Sequence, residues 1–181
     1  MDILDQMVKF ANKDIIFKKS AKITKEDTIL ERFFSKAQDL SEDSHKQMSL
    51  YVAFLRGLYL VHQQNHWETK GYQQHLLFQR LYENVLESAD NAAEKTVGLF
   101  GSLMSKGLES KIADQFKTEK PDLEACVKSS LKAEKSYQNL VKKVYDGLKE
   151  RNELTLGLDD MLMSQANDSE TRIYLLQQSI V

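Results

Sequence analysis

Proline and glycine are the residues this sequence does without. One proline and seven glycines among 181 residues exclude a β-sandwich or barrel, whose many short strands need frequent turns. Cysteine is equally scarce. Cys126 stands alone, so there is neither an intrachain disulfide nor a Cys-x-x-Cys motif, and a reducing compartment is expected. No apolar run approaches the length of a membrane span. Asp5, Lys9 and Asp14 interrupt the first residues, which excludes the apolar core of a secretory signal. A formal charge of −2 excludes a uniformly basic nucleic-acid binder. The expectation is a soluble, cytoplasmic protein with no membrane partner and one core of ordinary size.

What is present is helical periodicity. Residues 1–40 hold two short amphipathic stretches, one with Ile3, Leu4, Met7, Phe10 and Ala11, the other opened by a Thr24–Asp27 cap and carrying Ile29, Leu30, Phe33, Phe34, Ala37 and Leu40. They read as an N-terminal helical extension. From residue 41 to 181 the pattern is that of a bundle. Met48, Tyr51, Val52, Leu55, Leu58 and Tyr59 mark a first long helix closed near Gly71. A second runs from about Tyr72 to Val97. Gly98, Gly101 and Gly107 then open a long connection in which Met104, Leu108, Ile112 and Phe116 predict a short crossing helix. Pro121 suits the first turn of a third long helix. Leu158, Met161, Leu162, Ile173 and Leu176 form a fourth, whose polar QANDSET stretch is expected to bend or break it. Cys126 lies on an apolar face and reads as core. The prediction is an all-α four-helix bundle, with the long connection between its second and third helices that ferritin-like folds use.

The histidines carry the first sign of chemistry. All four lie between His45 and His75. His62 and His66 are four apart, the spacing of two metal ligands on one helical face. On the next helix His75, Gln79, Glu83, Asp90 and Glu94 follow close to a four-residue repeat. Such a stripe is costly to bury without cations; otherwise the bundle turns it to solvent. His75 and Asp90 are separated by roughly 22 Å along one helix, so they cannot share an ion within one chain. An antiparallel copy across a two-fold axis could bring Asp90 and Glu94 beside the partner's His66 and His75. Imidazoles mixed with carboxylates suit iron or another transition metal better than calcium. An alternative centre needs Glu-x-x-His on two helices of one bundle; Glu42 and His45 supply one copy, and the second half of the chain has no histidine for another.

The segment from His66 to Glu94, HWETKGYQQHLLFQRLYENVLESADNAAE, resembles the signature of Dps-type miniferritins. His66, Trp67, Lys70, Gly71 and His75 match a His-Trp helix end, a Lys-Gly turn and a second histidine, with the interval three residues shorter than usual. Asp90 and Glu94 keep the family's distance from the second histidine. The clear match covers about thirty residues. It implies Fe(II) bound by His66 and His75 of one subunit and Asp90 and Glu94 of its partner, ferroxidase oxidation with peroxide or oxygen, and iron storage inside a hollow homo-oligomer, a dodecamer if the family pattern holds. His62, Gln79, Glu83 and Trp67 would be accessory ligands or groups around the ions. The departure is Gln79, which stands where the family has an acid and brings no negative charge.

Two further expectations concern the extension. Lys9, Lys13, Lys18, Lys19, Lys22 and Lys25 stand against Asp2, Asp5 and Asp14, a short basic arm that could hold DNA weakly and with strong salt dependence. The surplus apolar surface before Ser41 also fits a second reading, a non-enzymatic ferritin-like scaffold that binds a partner while Gln79 impairs its metal site.

Overall fold

The structure, a computed structural model, describes residues 40–104, 107–119 and 121–179. The N-terminal extension and its six lysines lie outside the described residues. Five helices follow one another: α1 Glu42–Glu68, α2 Tyr72–Phe100, α3 Leu108–Asp114, α4 Leu123–Glu150 and α5 Leu156–Gln178. The starts of α1, α4 and α5 are capped by Ser41, Asp122 and Thr155, whose side-chain oxygens accept from the backbone N–H groups of Ser44, Ala125 and Leu158. Pro121 therefore sits one residue ahead of the cap and not in the first turn, because Asp122 is the better acceptor there.

Helices α1 and α2 form an antiparallel hairpin. The connection carrying α3 then crosses back along α1, so α4 begins beside the end of α1. Asn65 on α1 donates to the Cys126 carbonyl on α4, and Arg151 at the other end of α4 donates to Ser44 near the start of α1. The chain turns there and α5 returns parallel to α1. This is the four-helix bundle with a crossing helix that the periodicity predicts.

The crossing explains the unusual apolarity of α1. Leu50, Tyr51, Val52, Ala53, Phe54 and Leu55 are all buried in succession, which an amphipathic helix at a bundle corner would not permit. Helix α3 covers the side that α2 and α4 leave open. It comes so close that an ideal Cβ on Gly57 would lie 2.6 and 2.8 Å from side-chain atoms of Ile112 and 3.0 Å from the Glu109 carbonyl. Gly71, by contrast, does not end α1. That helix stops at Glu68, and Gly71, at φ 99°, opens α2.

The fourth long helix, α5, is unbroken through its polar middle, where Gln165 and Ser169 face inward to partners on other helices while Asn167, Glu170 and Thr171 face solvent. Gln165, Ser169 and Arg172 are buried. Gln165 accepts from Tyr51 Oη at 2.5 Å and donates to the Ser88 carbonyl at 3.0 Å, tying α5 to α1 and α2. Among the described residues no helix is long and apolar enough to cross a membrane.

Gly57→Ala is expected to destabilise the fold by about 1–3 kcal/mol, the usual cost of overpacking. Gly98→Ala, where nothing lies within 4 Å of the added methyl, should stabilise it by about 0.4–1 kcal/mol. Urea unfolding of the two variants beside the parent measures both.

Candidate metal centre

The turn between α1 and α2 places His66 and His75 face to face. Their rings stack with centroids 3.7 Å apart. His66 Nδ1 lies 2.9 Å from the backbone oxygen of His75, and His75 Nδ1 lies 3.2 Å from that of His66. A carbonyl oxygen only accepts, so each Nδ1 carries its proton and donates it across the turn. In the neutral rings the lone pair of each then sits on Nε2. This is the arrangement a metal-binding imidazole needs, one nitrogen anchored and the other free to ligate. Tyr82 sets its ring edge-on to His66 at 5.2 Å and Tyr59 stacks edge-on to Tyr82 at 5.9 Å, which braces the pair from α1 and α2.

The remaining residues of the stripe occupy the outer side of α2. The buried side consists of Phe78, Leu81, Val85, Ser88, Ala89, Ala92 and Thr96. His75, Glu83, Asp90 and Glu94 are exposed, and Gln79 is half-buried. Of the two orientations open to the sequence, the bundle turns this stripe outward. Gln79 Nε2 donates to Glu83 Oε1 at 2.8 Å, so these two side chains are committed to each other. Trp67 is 70% exposed beside the histidine pair. Among the described residues of a single chain, no three His, Cys, Asp or Glu side chains gather closely enough to hold a metal ion. The Glu42–His45 alternative is taken up structurally: Glu42 pairs with Lys46, while His45 stacks on Phe100 and donates to the Ser102 carbonyl.

His62 requires a correction. It is fully buried, and neither nitrogen is free for a metal. Nδ1 accepts from Ser130 Oγ at 3.0 Å and Nε2 donates to Glu134 Oε1 at 2.7 Å. Burial lowers its pKa despite the carboxylate beside it, so the ring is neutral and this tautomer satisfies both partners. Glu134 also takes Arg172 Nε at 2.7 Å, Arg172 Nη2 at 3.1 Å and Ser169 Oγ at 2.6 Å. Arg172 Nη1 continues to Asn84 at 2.5 Å. Burial by itself would raise the Glu134 pKa; the Arg172 charge and the His62 hydrogen bond outweigh it and hold the carboxyl at about 2. Sequence reading did not single out Glu134 and Arg172. The only signal was their position: each falls on the inward side of its helix.

No protein-family model matches the chain, and no curated protein matches it in sequence. Solved structures do. A single-residue mutant of Mycobacterium smegmatis Dps1 superposes with a TM-score of 0.66 at 19% identity, covering 78% of this chain and 100% of that one. A C-terminal deletion mutant of M. smegmatis Dps gives 0.65 at 20% identity over 75% and 96% of the two chains. Dps from Microbacterium arborescens in the high iron form gives 0.62 at 18% identity, over 77% and 96%. The fold is that of the Dps miniferritins. The four long helices and the crossing helix of this bundle agree with that fold.

The buried network yields a prediction about stability. Glu134→Gln leaves Arg172 buried without its counter-charge and should cost about 3–5 kcal/mol in urea unfolding. Both groups have depressed folded-state pKa values, below 6.5 for His62 and below 4.5 for Glu134. Their contribution is therefore complete above pH 6.5 and is lost as pH falls, first through His62 and then through Glu134 between about 4.5 and about 2. The Gln variant should show a flatter acid limb than the parent.

Proposed function

We propose that the chain is a Dps-like subunit that oxidises Fe(II) and stores the product within a homo-oligomeric shell. His66 and His75 hold the incoming Fe(II) through Nε2, and Asp90 and Glu94 of the partner subunit complete the site across a two-fold interface. The observation that carries this reading is the reciprocal Nδ1–carbonyl locking of the two stacked imidazoles, which leaves an Nε2 lone pair on each ring with no protein donor bonded to it among the described residues. The surrounding surface supports it. Tyr72, Leu76 and Leu86 are 76%, 43% and 51% exposed and alternate with Gln79, Glu83 and Asp90 along one side of α2, an apolar and acidic strip suited to a second copy of itself.

The chemistry divides between the subunits by charge. Two neutral imidazoles bind Fe(II) without charge repulsion, and the carboxylates favour the Fe(III) product by lowering the potential of the bound ion. Peroxide or oxygen accepts the electrons. Gln79 supplies no charge next to the histidines, so the site is one carboxylate poorer than the family's. That feature favours the second reading, a scaffold whose iron site is impaired, and the pairing of Gln79 with Glu83 gives it a structural basis.

Absorbance during aerobic and peroxide-driven Fe(II) titration tests the proposal. His66→Ala combined with Asp90→Ala should slow oxidation by at least the roughly 10–100-fold that loss of an outer-shell partner already costs. Equal rates in parent and variant would sink the iron reading, and a strictly monomeric parent on size exclusion would sink the shared site. Gln79→Glu should tighten Fe(II) binding by roughly tenfold or more, since a charge about 4 Å away is worth several kcal/mol near a protein surface. Unchanged affinity would show that position to be outside the site.

A further inference from the structure

Helices α4 and α5 carry outer faces of opposite sign. On α4, Lys128, Lys132, Lys135, Lys142 and Lys149 follow at intervals of four, three, seven and seven residues, so they form one line along the helix. All five are exposed, and the line lies opposite the buried Cys126, Tyr137, Val144 and Leu148. Lys128 pairs with Glu124 and Lys142 with Asp146 along the helix, exposed pairs that are weak and readily exchanged. No large apolar side chain of α4 is exposed among the described residues. Whatever covers this face must therefore be anionic.

The outer face of α5 has the complementary character. Leu156, Asp160, Met163, Asn167, Glu170 and Tyr174 follow at alternating intervals of four and three residues, and all are exposed. Their line lies opposite the buried Leu158, Leu162, Gln165 and Leu176. Leu156 is 89% exposed, Met163 62% and Tyr174 58%. The one basic residue of α5, Arg172, is held in the core by Glu134, so the charge on this line is wholly negative. The two lines also match in length, about 32 Å from Lys128 to Lys149 and about 27 Å from Leu156 to Tyr174. Each points away from the packed side of its own helix, so they cannot meet within one chain.

We propose that the lysine line of α4 packs on the acidic line of α5 of a second copy. This contact is distinct from the α2 strip. It rests on the shell reading above and supplies what that reading lacks. A two-fold contact by itself closes at two subunits, and a shell needs a second contact. Because the two patches differ, each subunit gives its α4 to one neighbour and its α5 to another, and the contact repeats. The ammonium groups meet Asp160 and Glu170, while the aliphatic lysine stems cover Leu156, Met163 and Tyr174. A second copy fits better than a nucleic acid, because a polyanion on α4 would leave the apolar residues of α5 in water.

Size-exclusion chromatography with light scattering on the full-length chain at low salt tests the inference. Three variants accompany the parent: Lys132→Glu with Lys135→Glu on α4, Asp160→Lys with Glu170→Lys on α5, and all four changes together. Every position is exposed, and circular dichroism should match that of the parent. Each of the first two variants is expected to stop at the two-fold dimer, with the larger assembly reduced at least tenfold. The combined variant, whose charges are exchanged, should recover that assembly. If the parent forms a shell that either pair of changes leaves intact, the inference is overturned while the shell reading stands. Losses that the exchange does not restore would overturn it as well. So would an α4 variant that assembles like the parent and only loses retention of duplex DNA in a gel, which would give the lysine line to nucleic acid. A parent no larger than a dimer would sink the shell reading itself.

Discussion

The Glu134–Arg172 ion pair is the constraint on which the bundle depends. With His62 and Asn84 it draws one side chain from each of the four long helices into a single hydrogen-bonded group. It also divides the core. Leu81, Val127 and Leu176 belong to one apolar cluster and Val85, Ala133 and Leu162 to another, and on α2 and α5 the network residues Asn84 and Arg172 fall between the two. Apolar contacts tolerate sliding, whereas a buried charge must meet its partner in one register. Two buried charges add little net stability over an apolar pair of the same shape, but leaving either one alone is expensive. The network thus sets the relative height of the four helices.

That register matters for the histidine pair. His62 is one helical turn before His66 on α1, and Asn84 is nine residues beyond His75 on α2. Fixing α1 against α2 at the network fixes the turn above it, where His66 and His75 exchange hydrogen bonds with each other's backbone. The same antiparallel pairing that stacks the imidazoles carries Asp90 and Glu94 far down α2 and onto its outer side. The proposed site, if it uses all four residues, would consequently need a second subunit.

Much of this was legible in the sequence, for reasons that differ from element to element. The helices and the crossing segment could be read because their apolar residues repeat at the helical period and their breaks carry Ser, Thr, Asp and Gly. His66 and His75 could be read because only one short turn separates them. Local rules misplaced Pro121 and Gly71 by a residue or two, since a cap is decided by which side chain reaches the free N–H groups. The QANDSET stretch misled more seriously. Polar residues there indicate a break if they face water, and an unbroken helix if Glu134, Ser88 and Tyr51 wait for them on other helices. Nothing within the stretch distinguishes the two.

The two histidines on α1 show where the division lies. Sequence alone determined that His62 and His66 share a helical face and that His75 follows a short turn, because backbone geometry over a few residues depends on nothing else. It likewise determined that Asp90 lies too far from His75 for one chain to join them, since the rise of a helix is constant. Only the tertiary structure decided that His66 keeps a free nitrogen while His62 spends both on Ser130 and Glu134. Those partners come from a helix nearly seventy residues away, and whether an imidazole is a ligand or a core residue depends on what the packed bundle places against it.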